Sequence, residues 1–456
     1  MGYAAPPADL PRCPGPSMQD ILSADGESAP AVLREQSFLE LGDTELSVER
    51  YTSQDFHQRE MDKMWPRVWQ MACRLEQIPQ VGDHCVYDIG DDSLIVTRTS
   101  PTEIKAFYNA CLHRGTRLRD EGGCVQAFRC PFHGFTWGLD GSLKGVPCRW
   151  DFPTIRDDEF RLPEAKVATW NGFVFVNMDL DADPLPDYLG DVARHFSRWP
   201  LEERYLAAHV GKIVKANWKV AQEAFMEAFH VPDTHPEIGS SLGDWNAQYD
   251  VYPGGHSRLY NAMYVPSPSA SRRGVSEQEV ADEGTTMLGF DRLSLPEGAS
   301  ARSAVTAQYR HVLERKTGAD LSDLTTTEMV DLIQYFVFPN FFPWAGLGGP
   351  IVYRFRPNGH DPDSCLMEVM LLYPRPASGE SPPPARLRML GADEPWAEAG
   401  ELGTLGPIFD QDTANMPRIQ AGLKTTRRSG VVLGHYQESR IRYMHHELDR
   451  YLNAAT

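Results

Sequence analysis

The sequence predicts an α+β protein: a small β domain followed by a larger domain of mixed helices and strands. Short alternating runs separated by Gly and Asp crowd the first two hundred or so residues, as small antiparallel β domains do. Past Leu180 the composition shifts to Asp, Pro and Leu, which marks a linker. Beyond it, apolar stripes at helical spacing appear in 217–230 and 438–452. At 456 residues the chain is too long for one small core, so two or three domains are expected.

Residues 1–45, rich in Pro and Ala, read as a loosely ordered arm. Residues 56–65 read as a short helix, and 86–90, 93–98 and 104–108 as strands, with 171–177 the last strand of a β domain spanning 46–180. The second domain covers 181–456. In it, 217–230 reads as one helix with Asn217 as N-cap and Pro232 as its stop. The polar stretch 267–304 reads as a long loop or lid, or a surface insertion. Ile441, Met444, Leu448 and Leu452 close the chain as an amphipathic helix.

Hydrophobic residues make up 41% and charged residues 23%, the balance of a soluble globular protein. A formal net charge of −19 argues against nucleic acid or an anionic membrane surface as partner. No run approaches transmembrane length and no basic start precedes an apolar core, so a cytoplasmic location is expected. Of eight cysteines, six show no framework spacing and read as buried thiols, with Cys124 and Cys148 placed to pair across the loops between them.

Two cysteines stand apart. Cys111 and His113 lie in Cys-Leu-His-Arg-Gly, and Cys130 and His133 in Cys-Pro-Phe-His-Gly. Two thiolates and two imidazoles suit a [2Fe–2S] cluster in which sulfur holds one iron and nitrogen the other. A tetrahedral Cys₂His₂ zinc site uses the same ligand types, but zinc spacing pairs Cys with Cys and His with His, whereas each loop here offers one of each. With Gly134-Phe135-Thr136-Trp137 and Asp140-Gly141 following, the pattern resembles the Rieske non-haem iron oxygenases, catalytic (alpha) subunits of the aromatic-ring-hydroxylating dioxygenases.

The second domain carries a matching signal. Glu223, Glu227 and His230 recur at i, i+4 and i+7, and His235 follows after Pro232. Two histidines supply two ligands of a 2-His-1-carboxylate triad for Fe(II). The resemblance extends to Asn217-Trp218-Lys219 before them and to Phe409-Asp410-Gln411-Asp412 with Gln420-Ala421-Gly422-Leu423 near the end. It implies Asp412 as the third ligand, with Asp410 as fallback; the competing reading is an Asp capping a helix that starts near Asn415.

The same resemblance implies an all-β Rieske domain and a helix-grip (START/Bet v1-like) catalytic domain whose antiparallel sheet grips helices. It implies a head-to-tail homotrimer in which one subunit's cluster, through His133, serves the next subunit's iron. Most relatives carry aspartate where Glu227 stands; Glu227 and Glu223 are the candidate catalytic carboxylates, Glu227 bridging to His230. No Gly-x-Gly-x-x-Gly follows a strand, so electrons must come from a separate ferredoxin or flavin reductase using NAD(P)H, with Arg114, Arg117 and Arg119 as a docking patch or a solvated loop. A small β subunit is a further partner the resemblance allows. Phe225, Met226, Phe229, Phe338 and Asn340 are the expected pocket residues, for a hydrophobic aromatic or polycyclic substrate and O₂. Arg354 and Arg356 offer a carboxylate contact or a plain surface. Hydroxylation, most simply dihydroxylation, is the expected reaction. O- or N-demethylation and monohydroxylation share every motif, and the rival classes are a Rieske electron carrier and a zinc-stabilised binding protein.

Overall fold

The computed structural model describes residues 3–270, 273–376 and 380–454. The described residues divide into two compact units, one within 58–188 with 358–360, the other within 3–57, 189–357 and 361–454.

The smaller unit is built on a seven-stranded sheet. Its strands are β1 (Gln70–Arg74), β2 (Asp83–Ile89), β3 (Asp92–Ser100), β4 (Glu103–Tyr108), β5 (Gly123–Cys124), and, after an intervening hairpin pair, β9 (Glu164–Trp170) and β10 (Phe173–Asn177). They run in the order β1-β10-β9-β4-β3-β2-β5, every pair antiparallel. A three-stranded sheet of β6 (Ala127–Arg129), β7 (Thr136–Gly138) and β8 (Leu143–Gly145) carries the second ligand loop. Phe107, Phe128, Phe135 and Trp137 pack with Cys111 and Cys130 in one buried cluster.

The larger unit is organised by an eight-stranded sheet. Its strands are β11 (Arg204–Val214), β12 (Gln248–Tyr252), β13 (His256–Asn261), β14 (Leu332–Phe336), β15 (Phe341–Ala345), β16 (Ile351–Asn358), β17 (Asp361–Pro374) and β18 (Arg388–Leu390), in the order β12-β13-β14-β15-β16-β17-β11-β18. Pairs from β12 to β16 and the β17–β11 pair are antiparallel; β18 joins β11 in parallel. Its principal helices are α1 (Met18–Ala24), α2 (Trp218–Glu223), α3 (Val231–Thr234), α4 (Glu277–Met287), α5 (Ala301–Thr317), α6 (Leu405–Thr425) and α7 (Ser439–Asn453). On α7, Ile441, Met444, Leu448 and Leu452 are buried, the stripe the periodicity predicts.

Several expectations need revision. The front segment does not trail: Met18, Leu22, Leu33 and Phe38 are buried, because four spaced apolar residues anchor a stretch whose Pro and Ala dominate the composition. Residues 46–57 belong with the larger unit, where Tyr51 is buried, so the β domain begins later than 46. Residues 267–304 hold α4 and the start of α5. Ser276 and Glu279 form a capping box, and Val280, Ala281, Gly284 and Thr285 are buried, a stripe hidden by the polar average. Cys124 and Cys148 are exposed and form no disulfide with each other.

The helix expected over 217–230 stops at Glu223. Asn217 caps α2 as predicted, accepting from Lys219 N–H. Beyond Glu223 the backbone finds other partners: Ala228 N–H donates to the Tyr249 hydroxyl, while Phe229 and His230 N–H donate to the Glu227 carboxylate. Pro232 then sits in the first turn of α3, where its missing N–H costs nothing, so it opens a helix rather than ending one.

Candidate functional site

The two cysteine loops of the smaller unit are the same turn used twice. Cys111 O accepts from Gly115 N–H and Cys130 O from Gly134 N–H, at 2.8 and 3.1 Å. Both glycines hold positive φ, +77° and +78°, a conformation only glycine adopts cheaply. The turns bring the His113 and His133 rings to 4.7 Å between centroids, and Phe135 stacks on His113 at 4.6 Å. Both cysteines are 2% exposed, whereas His133 lies at the surface. Nδ1 of His113 is buried with no hydrogen-bond partner among the described residues. Burial raises the Cys111 thiol; at Cys130 burial also acts upward, but the backbone N–H groups of His133 and Phe132 together with hydrogen bonds from Cys111 and Thr116 outweigh it and lower the thiol. Two buried sulfurs, two adjacent imidazoles and an orphaned ring nitrogen fit a [2Fe–2S] cluster with sulfur and nitrogen ends.

Arg117 is paired with Asp88 at 2.8 Å, and Arg119 donates to the carbonyls of Leu118 and Ala127. Arg114 lies over the exposed ring of Phe132. The three arginines therefore do not form one free basic patch.

In the larger unit His230, His235 and Asp412 converge, their ligand atoms all within 4.8 Å of one another. Nε2 of His235 lies 3.0 Å and Nε2 of His230 3.6 Å from Asp412 Oδ1. Each imidazole is fixed from behind: His230 Nδ1–H donates to Glu227 Oε1 at 2.5 Å and His235 Nδ1–H to Gln411 Oε1 at 2.6 Å. That pattern leaves both Nε2 atoms facing the carboxylate, as two imidazole ligands and a carboxylate must for a facial triad. Burial works against a charged His230, yet the carboxylates of Asp412 and Glu227 outweigh it and raise the ring to about 10. Asp412 is held below its usual range because hydrogen bonds from both histidines outweigh its burial. An anionic carboxylate beside two oriented imidazoles is a donor set that could hold a divalent metal ion.

Asp412 is delivered by the middle of α6, which starts ten residues before the expected Asn415. Asp410, the fallback ligand, accepts from Trp396 and Ala397 N–H instead. Glu223 also lies apart from the histidines: it accepts from the Tyr51 hydroxyl at 3.1 Å and meets His445 Nε2 at 2.7 Å. Burial pushes Glu223 up to about 8 against the Tyr51 hydrogen bond and Lys219, and burial holds His445 well below its usual value.

The triad sits on the wall of a partly open, mainly apolar cavity of about 170 Å³. The sheet supplies one side of it by alternation. Leu259 and Asn261 of β13 pair with Gln334 and Leu332 of β14, Gln334 pairs with Trp344 of β15, and Tyr353 of β16 shares the face. Leu405, Ile408, Phe409 and Asp412 come from one stripe of α6. Of the expected pocket residues, Phe225 lines this cavity, 4.8 Å from the Tyr353 ring. The other four lie elsewhere: Phe338 stacks on Tyr451, Asn340 donates to Phe355 O, Met226 O accepts from Arg440, and Phe229 is partly exposed. Arg354 and Arg356 bind the buried Glu368 and line no part of the cavity. Glu227, His230 and Asp412 also border an open groove of about 580 Å³ with Glu223, Ile419, Val432 and Glu438. Gln411 escaped the sequence reading although it stands between the two aspartates weighed as ligands; Asn261, Trp344 and Tyr353 carried no local signal.

The family model of the ring hydroxylating alpha subunit (catalytic domain) matches residues 191–454, more than half of the chain, and that of the Rieske [2Fe-2S] domain matches 68–156. The chlorobenzene dioxygenase alpha subunit of Cupriavidus sp. (strain PS12) is 33% identical over 224 residues, covering 47% of this chain and 50% of the relative. The large oxygenase component of the naphthalene 1,2-dioxygenase system of Pseudomonas putida is 35% identical over 195 residues, 40% and 42% of the two chains. The chain thus spans about half the length of the curated relatives it matches or less. Among solved structures, naphthalene 1,2-dioxygenase from Rhodococcus sp. bound to indole shares the fold with a TM-score of 0.62 at 21% identity, covering 90% of this chain and 95% of that one. A quaternary ammonium Rieske monooxygenase in complex with L-carnitine does so at 0.63 and 17%, covering 90% and 96%.

Proposed function

Since this chain belongs to the ring hydroxylating alpha subunit family, we propose that it is the oxygenase component of a multicomponent system that hydroxylates, most simply dihydroxylates, a small hydrophobic aromatic substrate. The single observation that carries this reading is the convergence of His230, His235 and Asp412 on the wall of an apolar cavity. Its metal groups are a Rieske [2Fe–2S] cluster and a mononuclear iron. Cys111, Cys130, His113 and His133 would hold the first, and His230, His235 and Asp412 the second. When bound, the cluster supplies electrons one at a time and the iron supplies the centre at which dioxygen is activated.

The remaining work falls to the chain. Glu227 accepts the Nδ1 proton of His230 and so fixes which ring nitrogen faces the metal position; Gln411 does the same for His235. Phe225, Tyr353, Phe409 and Leu405 give an aromatic ring flat apolar contact. An enclosed apolar cavity of roughly 150 Å³ holds benzene, so about 170 Å³ has room for a single aromatic ring. The groove beside Glu227 is the proposed seat for a neighbouring subunit's cluster in a homotrimer, with a ferredoxin and an NAD(P)H-dependent reductase as cytoplasmic electron donors.

Oxygen uptake tests the reading. With cluster and iron loaded, and a reductase, ferredoxin and NADH supplied, toluene should stimulate oxygen consumption. Asp412→Ala should abolish that stimulation while the visible absorption of the cluster stays. Stimulation that survives Asp412→Ala refutes the assigned iron site.

A further inference from the structure

Asn261 closes β13 on the cavity face, beside Leu259 and opposite Leu332. It is 1% exposed, yet neither Oδ1 nor Nδ2 has a hydrogen-bond partner among the described residues. Buried amides are nearly always satisfied, because burying an unpaired one is costly. Several other polar groups of the lining have partners. Gln334 Oε1 accepts two bonds from Arg440, and Glu227, His230, His235 and Asp412 bind one another. Trp344, 8% exposed, offers a second orphan from the same lining, its indole N–H. Among the described residues no Lys or Arg borders the cavity, so a carboxylate buried beside Asn261 would have no cationic side chain to offset its desolvation.

We propose that Asn261 determines specificity by hydrogen-bonding a neutral polar substituent, a hydroxyl or a carboxamide, on a single-ring aromatic substrate. The inference rests on the reading of this cavity as the aromatic site. An asparagine amide offers an acceptor and two donors side by side, so its complement is a group that both donates and accepts. Oriented binding of this kind also decides which ring carbons face His230, His235 and Asp412.

The test is calorimetric titration of the metal-loaded protein, under anaerobic conditions, with phenol, benzamide, toluene and benzoate. Phenol and benzamide should bind about tenfold or more tightly than toluene, as one well-made buried hydrogen bond allows, and benzoate should bind weakest. Asn261→Leu, of similar volume but apolar, should erase the preference, tighten toluene binding and raise the melting temperature. Asn261→Ser, a milder change, should retain preference for phenol and lose it for benzamide. A wild type that ranks toluene with phenol and benzamide, or a preference that survives in either variant where its loss is expected, overturns the inference. Product analysis separates the two levels: polar preference without any oxygenated product refutes the oxygenase reading alone, and oxygenation without polar preference refutes the role of Asn261 alone.

Discussion

Replacing Gln411 by Leu isolates the support of one imidazole. His235 is 3% exposed, and its Nδ1–H has one acceptor, Gln411 Oε1 at 2.6 Å. The amide is itself oriented, because Gln411 Nε2 donates to Glu237 Oε2 at 3.1 Å. In Gln411→Leu the buried Nδ1–H loses its acceptor, at a cost of about 1–3 kcal/mol, and the ring is free to rotate or change tautomer. Changes to such supporting groups typically weaken metal binding roughly 10- to 100-fold, equivalent to about 1.4–2.7 kcal/mol. Competition against a chromogenic Fe(II) chelator measures the loss directly, with the cluster's visible absorption as internal control. Gln411→Glu, which keeps an acceptor, should retain iron at least as well as wild type. Iron affinity within about threefold of wild type in Gln411→Leu would refute the claim that this hydrogen bond holds the site.

Glu227→Gln should leave cluster and iron bound and the cluster reducible by dithionite, yet drop turnover to near background, since the 2.5 Å acceptor for His230 becomes neutral; full activity would place the electron path elsewhere. Glu223 predicts a pH signature. Its folded value of about 8 lies above the ordinary 4.5, so the fold binds this proton more tightly than the unfolded chain does. Stability from this group is full below about 4.5 and falls as pH rises toward 8, by roughly 1.4 kcal/mol per unit. Melting curves of Glu223→Gln should therefore fall less steeply than wild type between pH 5 and 8; parallel curves would contradict it. Arg258 is fully buried, bonded to Asp250 at 2.7 Å and to the carbonyls of Val32 and Glu35 in the front segment. Arg258→Met strands the Asp250 carboxylate and should cost about 3–5 kcal/mol in urea unfolding, with earlier proteolysis before residue 40; a loss under about 1 kcal/mol would show the pair to be dispensable.

The parts legible in the sequence were those written locally. Cys111 with His113, and Cys130 with His133, announce a cluster because ligand type and spacing sit within four residues, and the β strands and α7 announce themselves by period. His230 and His235 are likewise neighbours, while Asp412 had to be located by resemblance because it lies 177 residues from His235. The break in the helix after Glu223 was invisible, since it depends on the Tyr249 hydroxyl and on Glu227 turning back onto its own backbone. The cavity was hidden for the same reason. Phe338 and Asn340 share a segment with Trp344, but only strand register decides which side chains reach the cavity, and register is a property of four strands together.

Mass spectrometry of products formed under labelled dioxygen tests the central claim most directly. The loaded protein, with ferredoxin, reductase and NADH, should convert a single-ring arene into a product carrying labelled oxygen, two atoms from one molecule for dihydroxylation. Asp412→Ala should give none. Reduced cluster, full iron occupancy and bound arene with no labelled oxygen in any product would contradict it.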